Sequence, residues 1–273
     1  MLMPAYNPGD IIHRALESIA RSTYPCDIYI VDDASNPPVA ETVGRLPGMQ
    51  VIRLEQNGGP AIARNVGLAT ILSKSYDFVA LLDSDDVAHP ERIATQVAFL
   101  DDHPEFGAVG AWARVTGENG EALYIARTPD DPAEFHKTLY YNAAIVNSTL
   151  MIRTDVLRAV GLYSKRYPVA EDYELLRRIA KKYAVTNIPS VLIDYRRSTG
   201  GVSLRRRRRQ LFDRFRIQLK YFTAWDANAW MGLGKTLLLF FVPVSLIAKM
   251  KAYGDRGVTA VEAQADSPGP RDS

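Results

Sequence analysis

Two short acidic clusters are the places in this sequence where a cation would be most at home. Val31-Asp32-Asp33-Ala34-Ser35 closes one apolar run and Leu82-Asp83-Ser84-Asp85-Asp86 closes another. Like charges packed this closely repel one another unless water or a cation neutralises them. Carboxylates at i and i+2 past a strand end, as at Asp83 and Asp85, can bind Mg2+ or Mn2+ and leave positions open for phosphate oxygens. An acidic turn accounts equally well for either cluster alone, because Asp and Ser are common turn formers. A third feature is Asn57-Gly58-Gly59-Pro60-Ala61, which leads into Ala63-Arg64-Asn65. Glycines let backbone N–H groups approach a ligand, and a helix start favours anions. By itself this stretch is a flexible strand-to-helix turn. The fourth is Glu171-Asp172-Tyr173-Glu174-Leu175, where acidic residues at a helix start complement its dipole or supply a base.

Elements of the right kind stand behind these residues. Cys26–Val31, Met49–Leu54 and Phe78–Leu82 read as strands. The third is apolar throughout, as in a strand buried on both faces, while Asp27 and Arg53 place the first two nearer an edge. Ile11, Ile12, Ala15, Leu16 and Ile19 share one helical face, with Asn7 as the expected cap and Pro8 at the first position. Ile62, Val66 and Ala69 mark the next helix, and Ile93, Val97 and Leu100 another. Strand and helix in alternation predict a largely parallel α/β sheet with right-handed crossovers. Ligands bind such sheets at the carboxyl ends of the strands, where both acidic clusters fall. Leu150–Arg153 and Val191–Arg196 are further strands, and Leu175, Leu176, Ile179 and Tyr183 mark a helix that opens near Glu171-Asp172.

The chain has 273 residues and a formal net charge of +2. That is room for one good-sized core plus an appendage, or at most two small domains, and the overall charge does not point to nucleic acid. Cys26 is the only cysteine, so no internal disulfide can form, which fits a reducing cytosol. The start, Met1 to Asn7, shows no basic region and no long apolar run, so no secretory signal is expected.

Taken together, Met3-Pro4-Ala5-Tyr6-Asn7, Val31-Asp32-Asp33-Ala34-Ser35, Asn57-Gly58-Gly59 with Ala63-Arg64-Asn65-Val66-Gly67-Leu68, and Leu82-Asp83-Ser84-Asp85-Asp86 with Pro90 resemble the inverting family 2 glycosyltransferases of GT-A fold. Order and spacing agree from Met1 to about Ser203, and Glu171-Asp172 adds a fifth motif. The resemblance implies a Rossmann-like, mostly parallel central sheet flanked by helices. It also implies a nucleotide-diphospho-sugar donor, expected to be a UDP-sugar, a divalent metal, and a glycan or lipid-linked acceptor. Pro4, Ala5 and Tyr6 would line the base and ribose pocket, and Asp33 would accept a hydrogen bond from the base. Asp83 and Ser84 would approach the ribose and diphosphate, Asp85 would ligate the metal with Asp83 beside it, and Arg64 would help hold the donor. Asp172 would be the catalytic base. Two departures stand out. Only Met1, Leu2 and Met3 precede Pro4, where related sequences carry several more residues, so a truncated or misassigned start is expected. Ser198 stands where many relatives place a His.

Rival chemistries fit less well. A nucleotidyltransferase would open with a Gly-rich basic loop, which Met3 to Asp10 is not, and no G-x-G-x-x-G follows the first strand to suggest a dinucleotide-dependent oxidoreductase. A non-catalytic nucleotide-sugar binding protein would have no use for both Asp85 and Asp172. Trp112, Tyr140 and Tyr141 either stack on an acceptor sugar or fill the core.

After Ser203 the composition changes. Arg205 to Arg209 is an unbroken arginine run, a helical stretch follows to about Tyr221, and Trp230 to Ala248 is mostly apolar, interrupted by Gly232, Gly234, Lys235 and Pro243. The division expected is a GT-A domain over 1–204, a basic and apolar helical extension over 205–253, and a disordered tail over 254–273. The apolar segment falls short of the roughly 20 residues of a clean span. An interfacial or re-entrant helix at an anionic membrane is the expectation, flanked by the arginines, Lys249 and Lys251, with Trp225 and Trp230 at headgroup level. The enzyme would then work in the cytoplasm, at the inner face of the cell membrane. The alternative is a helix that packs on the catalytic domain or a second subunit, with the arginines a solvated face.

Overall fold

The short apolar runs of the first 80 residues pair as parallel strands because each is followed by a helix that returns the chain to the same edge. In the computed structural model, which describes residues 1–44, 46–197 and 207–242, these are β1 (Leu2–Ala5), β2 (Ile28–Asp32) and β3 (Met49–Arg53). They are joined by α1 (Ile11–Ala20) and a short α2 (Val39–Thr42), and α3 (Pro60–Leu72) then leads to β4 (Phe78–Ala80). The three strands lie in the order β1-β2-β3, with Ala5 opposite Asp32 and Asp32 opposite Arg53. A parallel bridge between Leu2 and Leu81 sets the chain beyond β4 beside β1. The carboxyl ends of β1, β2 and β4 therefore share one edge.

Side-chain alternation explains the core. Leu2, Tyr29 and Val31 enter one apolar cluster with Leu68, Ile152 and Leu175. Met3, Ile28 and Ile30 point the other way, into a second cluster with Ile12, Leu82, Val97 and Leu100. Both faces of β1 and β2 are covered, so β2 is fully buried and central rather than near an edge. Cys26 and Asp27 precede it.

The rest of the sheet is mixed, where a largely parallel one was expected. It contains β5 (Val87–Ala88), β6 (Phe106–Thr116), β7 (Ala122–Ala126), β8 (Met151–Arg153) and β9 (Ala184–Arg196), in the order β4-β8-β6-β9-β5 with β7 on β6. Only β6 and β9 pair in parallel; β4–β8, β6–β8, β6–β7 and β5–β9 are antiparallel. One of these pairings is local: Glu118 to Gly120 turn the chain from β6 into β7 as a hairpin, and hairpins pair antiparallel. The other three join strands far apart in the chain. Around the sheet lie α4 (Arg92–Asp102), α5 (Pro132–Thr138), α6 (Thr154–Val160) and α7 (Glu171–Ala180).

Two helical details differ from the sequence pattern. Asn7 does not cap α1, whose flanking residue is Asp10. Its side-chain oxygen accepts from the Asn36 N–H (2.8 Å) and its own N–H donates to Ser35 Oγ (2.9 Å), stitching the β1 and β2 loops together. In α3 the buried face is Ala61, Ala63, Arg64, Gly67, Leu68 and Ile71, not Ile62, Val66 and Ala69. The helix is rotated so that Arg64 points inward.

Beyond residue 206, α8 (Arg207–Lys220) and α9 (Ala227–Phe241) form an antiparallel hairpin. Arg207 at the start of α8 donates to the carbonyls of Leu239 and Val242 at 3.0 Å each, and Gln218 near its end donates to that of Gly232. The hairpin seats on the first unit through Lys220 and Tyr221, which reach Glu174 of α7, and through Tyr141 on Asn228. Ser198, the expected boundary at 204/205, Arg205, Arg206, residues 243–253 and the tail 254–273 lie outside the described residues. Among the described residues no helix is long and apolar enough to cross a membrane.

Candidate active site

At the end of β2 the carboxylates are spoken for. Asp32 is fully buried and accepts from the N–H groups of Ser35 (2.8 Å) and Val39 (3.1 Å) and from Arg53 Nη1 (2.6 Å). Burial alone would raise its carboxyl, but the bonds from Ser35, Val39 and Arg53 outweigh that and hold it below the ordinary value. Asp33 is also buried; its two oxygens accept from the N–H groups of Gly58 (2.7 Å) and Gly59 (2.8 Å). Gly59 sits at φ 82°, a conformation that favours glycine, so the turn that opens α3 is shaped around this carboxylate.

At the end of β4 the balance is reversed. Asp86 is fully buried, with one oxygen accepting from the Arg196 N–H (2.8 Å) and the other, Oδ2, without a hydrogen-bond partner. Burial, then Asp83 and Asp85, push its carboxyl well up. Burial and Asp83 likewise raise Asp85. Asp83, Ser84 and Asp85 are partly exposed beside Asp86.

Arg64 connects this cluster to α7. Its guanidinium is buried, donating to Asp83 Oδ1 through Nη2 (2.8 Å) and to Glu171 Oε1 through Nη1 (3.0 Å), with the Tyr163 ring 5.6 Å from its carbon. Asp172 follows Glu171 directly; its Oδ1 accepts from the Tyr173 N–H at 2.7 Å, and the side chain is partly exposed. Burial, then Asp172, raise Glu171 to about 7, and Arg64 offsets only part of this.

Pro4, Ala5 and Tyr6 occupy the end of β1, with Tyr6 exposed. β1 lies between β2 and the chain beyond β4, so Asp33 and Asp83 stand two strand spacings apart, about 10 Å. Asp33 and Asp83 thus follow strands on either side of β1, and Arg64 ties Asp83 to Glu171 beside Asp172.

The chain matches the glycosyl transferase family 2 model over residues 1–161, more than half its length. It belongs to glycosyltransferase family 2. An uncharacterized glycosyltransferase of Haemophilus influenzae is 29% identical over 233 residues, covering 81% of this chain and 84% of that protein. The amylovoran biosynthesis glycosyltransferase AmsE of Erwinia amylovora is 28% identical over 217 residues, covering 76% and 79%. Among solved structures, S. aureus TarS 1-349 in complex with UDP-GlcNAc shares the fold at TM-score 0.65 and 21% identity, covering 86% of this chain and 70% of that one. The mannosyltransferase PcManGT from Pyrobaculum calidifontis, in complex with GDP-Man and Mn2+, does so at 0.60 and 20%, covering 96% and 83%. The fold is that of the GT-A enzymes.

In this family 2 glycosyltransferase the β4 carboxylates suit a divalent cation. Negative charge is in excess there, and Asp86 Oδ2 has no donor. Among the described residues no three His, Cys, Asp or Glu side chains form a ready ligand set, so a cation would complete its shell with substrate or water oxygens, as Mg2+ commonly does. Arg64 is held by two carboxylates of its own protein. Sequence reasoning missed Tyr195. Burial, then Asp86, Asp83, Asp85 and Asp172, push its phenol up, although the residue is still 36% exposed. Its place near the end of β9, which runs parallel to β6, was the available signal. Trp112, Tyr140 and Tyr141 are packing residues. Trp112 donates to the Thr128 carbonyl (3.0 Å), Tyr140 lies under Arg177 at 4.8 Å, and Tyr141 holds α9 through Asn228.

Proposed function

We propose that this glycosyltransferase moves a hexosyl or hexosaminyl group from a UDP-sugar to a hydroxyl of a glycan or lipid-linked acceptor, inverting the anomeric carbon, in the synthesis of a cell-surface polysaccharide or glycolipid. The observation that carries the reading is the Arg64 bridge. One guanidinium joins Asp83, at the strand end, to Glu171, the residue before Asp172. Donor and acceptor chemistry are thereby brought to the same edge.

Pro4, Ala5 and Tyr6 line the base and ribose pocket, and Asp33, fixed by Gly58 and Gly59, offers its remaining lone pairs to the base. Asp83 and Ser84 approach the ribose and diphosphate. Asp85, with Asp83, would hold Mn2+ or Mg2+, which when bound spreads the charge of the leaving diphosphate. Arg64 holds the donor side indirectly, by fixing Asp83. Asp172 takes the acceptor proton as the hydroxyl attacks from the face opposite the diphosphate, so one base suffices. The division into a catalytic domain over 1–204 and an extension over 205–253 belongs to this reading. So does a working place at the inner face of the cell membrane. Support for these roles comes from the polysaccharide-synthesis relative and the complexes with UDP-GlcNAc and with GDP-Man and Mn2+.

A panel of nucleotide sugars incubated with and without Mn2+ tests it. Nucleoside diphosphate release from one UDP-sugar, lost on chelation, is the expected result. Binding without turnover across the panel would make the chain a non-catalytic nucleotide-sugar binder, and pyrophosphate release from a nucleoside triphosphate would make it a nucleotidyltransferase.

A further inference from the structure

A helix on a water-facing surface normally buries its large apolar residues and exposes its small and polar ones. In α9 this is inverted. Ala229, Gly232 and Thr236 face inward, and a Cβ on Gly232 would collide with the Tyr140 carbonyl, so the helix lies tight against its support. Trp230, Met231, Leu237, Leu238 and Phe241 face out, with Leu238 68% and Phe241 85% exposed. Every exposed Leu, Met, Phe or Trp among the described residues falls between Phe212 and Phe241. The concentration is therefore confined to one hairpin and is not a property of the whole surface.

Charge completes the pattern. From Arg207 to Val242 the chain carries seven Lys or Arg residues against two Asp. Of the two acids, Asp213 is buried between Arg209 and Arg216, and Asp226 caps α9. The antiparallel pairing brings the start of α8 back onto the far end of α9, where Arg207 binds the Leu239 and Val242 carbonyls and Arg208 is exposed. Lys235 is exposed along the helix, and Trp225, at the hairpin turn, is 91% exposed. The result is an apolar strip about 22 Å long, with indoles at one end and arginines at the other.

We propose that this outer face of α9, rimmed by the arginines that open α8, is a peripheral docking surface for an anionic lipid bilayer. An apolar face with basic edges matches acyl chains below anionic headgroups, and indoles suit the boundary between them. Two copies packed face to face would instead set their cations against each other. The helix lies flat in the interface, since no described helix is long enough to cross. The inference rests on the reading of an enzyme that works at a membrane face, and it is independent of the sugar-transfer chemistry.

Flotation of the full chain with vesicles of phosphatidylcholine and phosphatidylglycerol, and with phosphatidylcholine alone, tests it beside the double variant Leu238→Glu, Phe241→Glu. Both replaced side chains are exposed, so the variant should keep the wild-type melting temperature. The wild type should float with the anionic vesicles and progressively less as salt rises. The variant should partition at least about tenfold more weakly, while binding UDP in the presence of Mn2+ as the wild type does. Absence of wild-type flotation at low salt would overturn the proposal. So would equal flotation of the variant. If neither floats and the wild type is a dimer that the variant splits, the face is a self-association surface instead. If neither chain binds UDP but flotation behaves as expected, the donor-site reading fails and the docking surface stands.

Discussion

The two acidic strand ends look alike on paper and are electrostatic opposites in the fold. At the end of β2, Asp32 and Asp33 together accept from four backbone N–H groups and one guanidinium. At the end of β4, Asp85 and Asp86 are pushed up by burial and by their neighbours, and Asp86 Oδ2 has no donor. The first pair is a clasp that shapes the loops around a prospective base pocket. The second, although Arg64 holds Asp83 and the Arg196 N–H reaches Asp86, keeps Asp85 and Asp86 raised by burial and by like charge. Donor supply, not acidity, separates a structural carboxylate from a ligand-binding one.

The sharpest way to break this contrast is Asp85→Asn. Transfer should fall to background while the melting temperature holds or rises, because a partly buried, repelled charge has been removed. Turnover unaffected in that variant, with chelator present, would show that the β4 cluster holds no cation that matters. Asp172→Asn comes next, with turnover expected to fall roughly 10²–10⁴-fold, the usual range for a lost general base. Donor binding should change little. A titration in which donor affinity collapses while turnover survives would move Asp172 to the donor side.

Asp32→Ala probes the clasp and should reverse the signature: stability falls first, by about 1–3 kcal/mol for the stranded donors. The half-exposed Arg53 contributes little to this. Its pH dependence has a definite sign. Asp32 is held below its ordinary value in the folded state, so its contribution is fully present above the unfolded pKa of about 3.9. It is lost as pH falls through the lower folded value. Melting curves of wild type and variant should differ at pH 7 and converge in strong acid; a constant gap would mean that the charge is not what holds the loop.

The smallest effect is expected at Glu171. Raised to about 7, it gains charge beside Asp172 as pH passes through neutrality. Wild-type turnover should show a limb near pH 7, a several-fold change, that Glu171→Gln lacks. Superimposable profiles would leave Glu171 as a mere partner of Arg64.

Much of this was open to reading in the linear chain. Short apolar runs located β2, β3 and β4, and the 3.6 periodicity located α1, α4 and α7, to within a few residues, because burial imposes its spacing on local sequence. Motif order named the family and placed both clusters at strand ends. The sequence also marked the arginine run and the apolar stretch beyond Ser203. What it left open depends on which distant groups become neighbours. Whether the carboxylates at either strand end would be saturated was decided by Gly58 and Gly59 at Asp33, and at Asp86 by the Arg196 N–H, which leaves Oδ2 without a partner. Arg64 was legible as a cation near a glycine turn, but its partners Asp83 and Glu171 are 19 and 107 residues away, and that pairing turned the face of α3. The antiparallel half of the sheet came mostly from pairings distant in the chain, β4 and β6 with β8 and β5 with β9, and only β6–β7 from hairpin closure at residues 118–120. The apolar strip of α9 meets the arginines only because the hairpin folds back on itself. Burial and hydrogen-bond supply are properties of neighbours in space, and local periodicity carries no record of them.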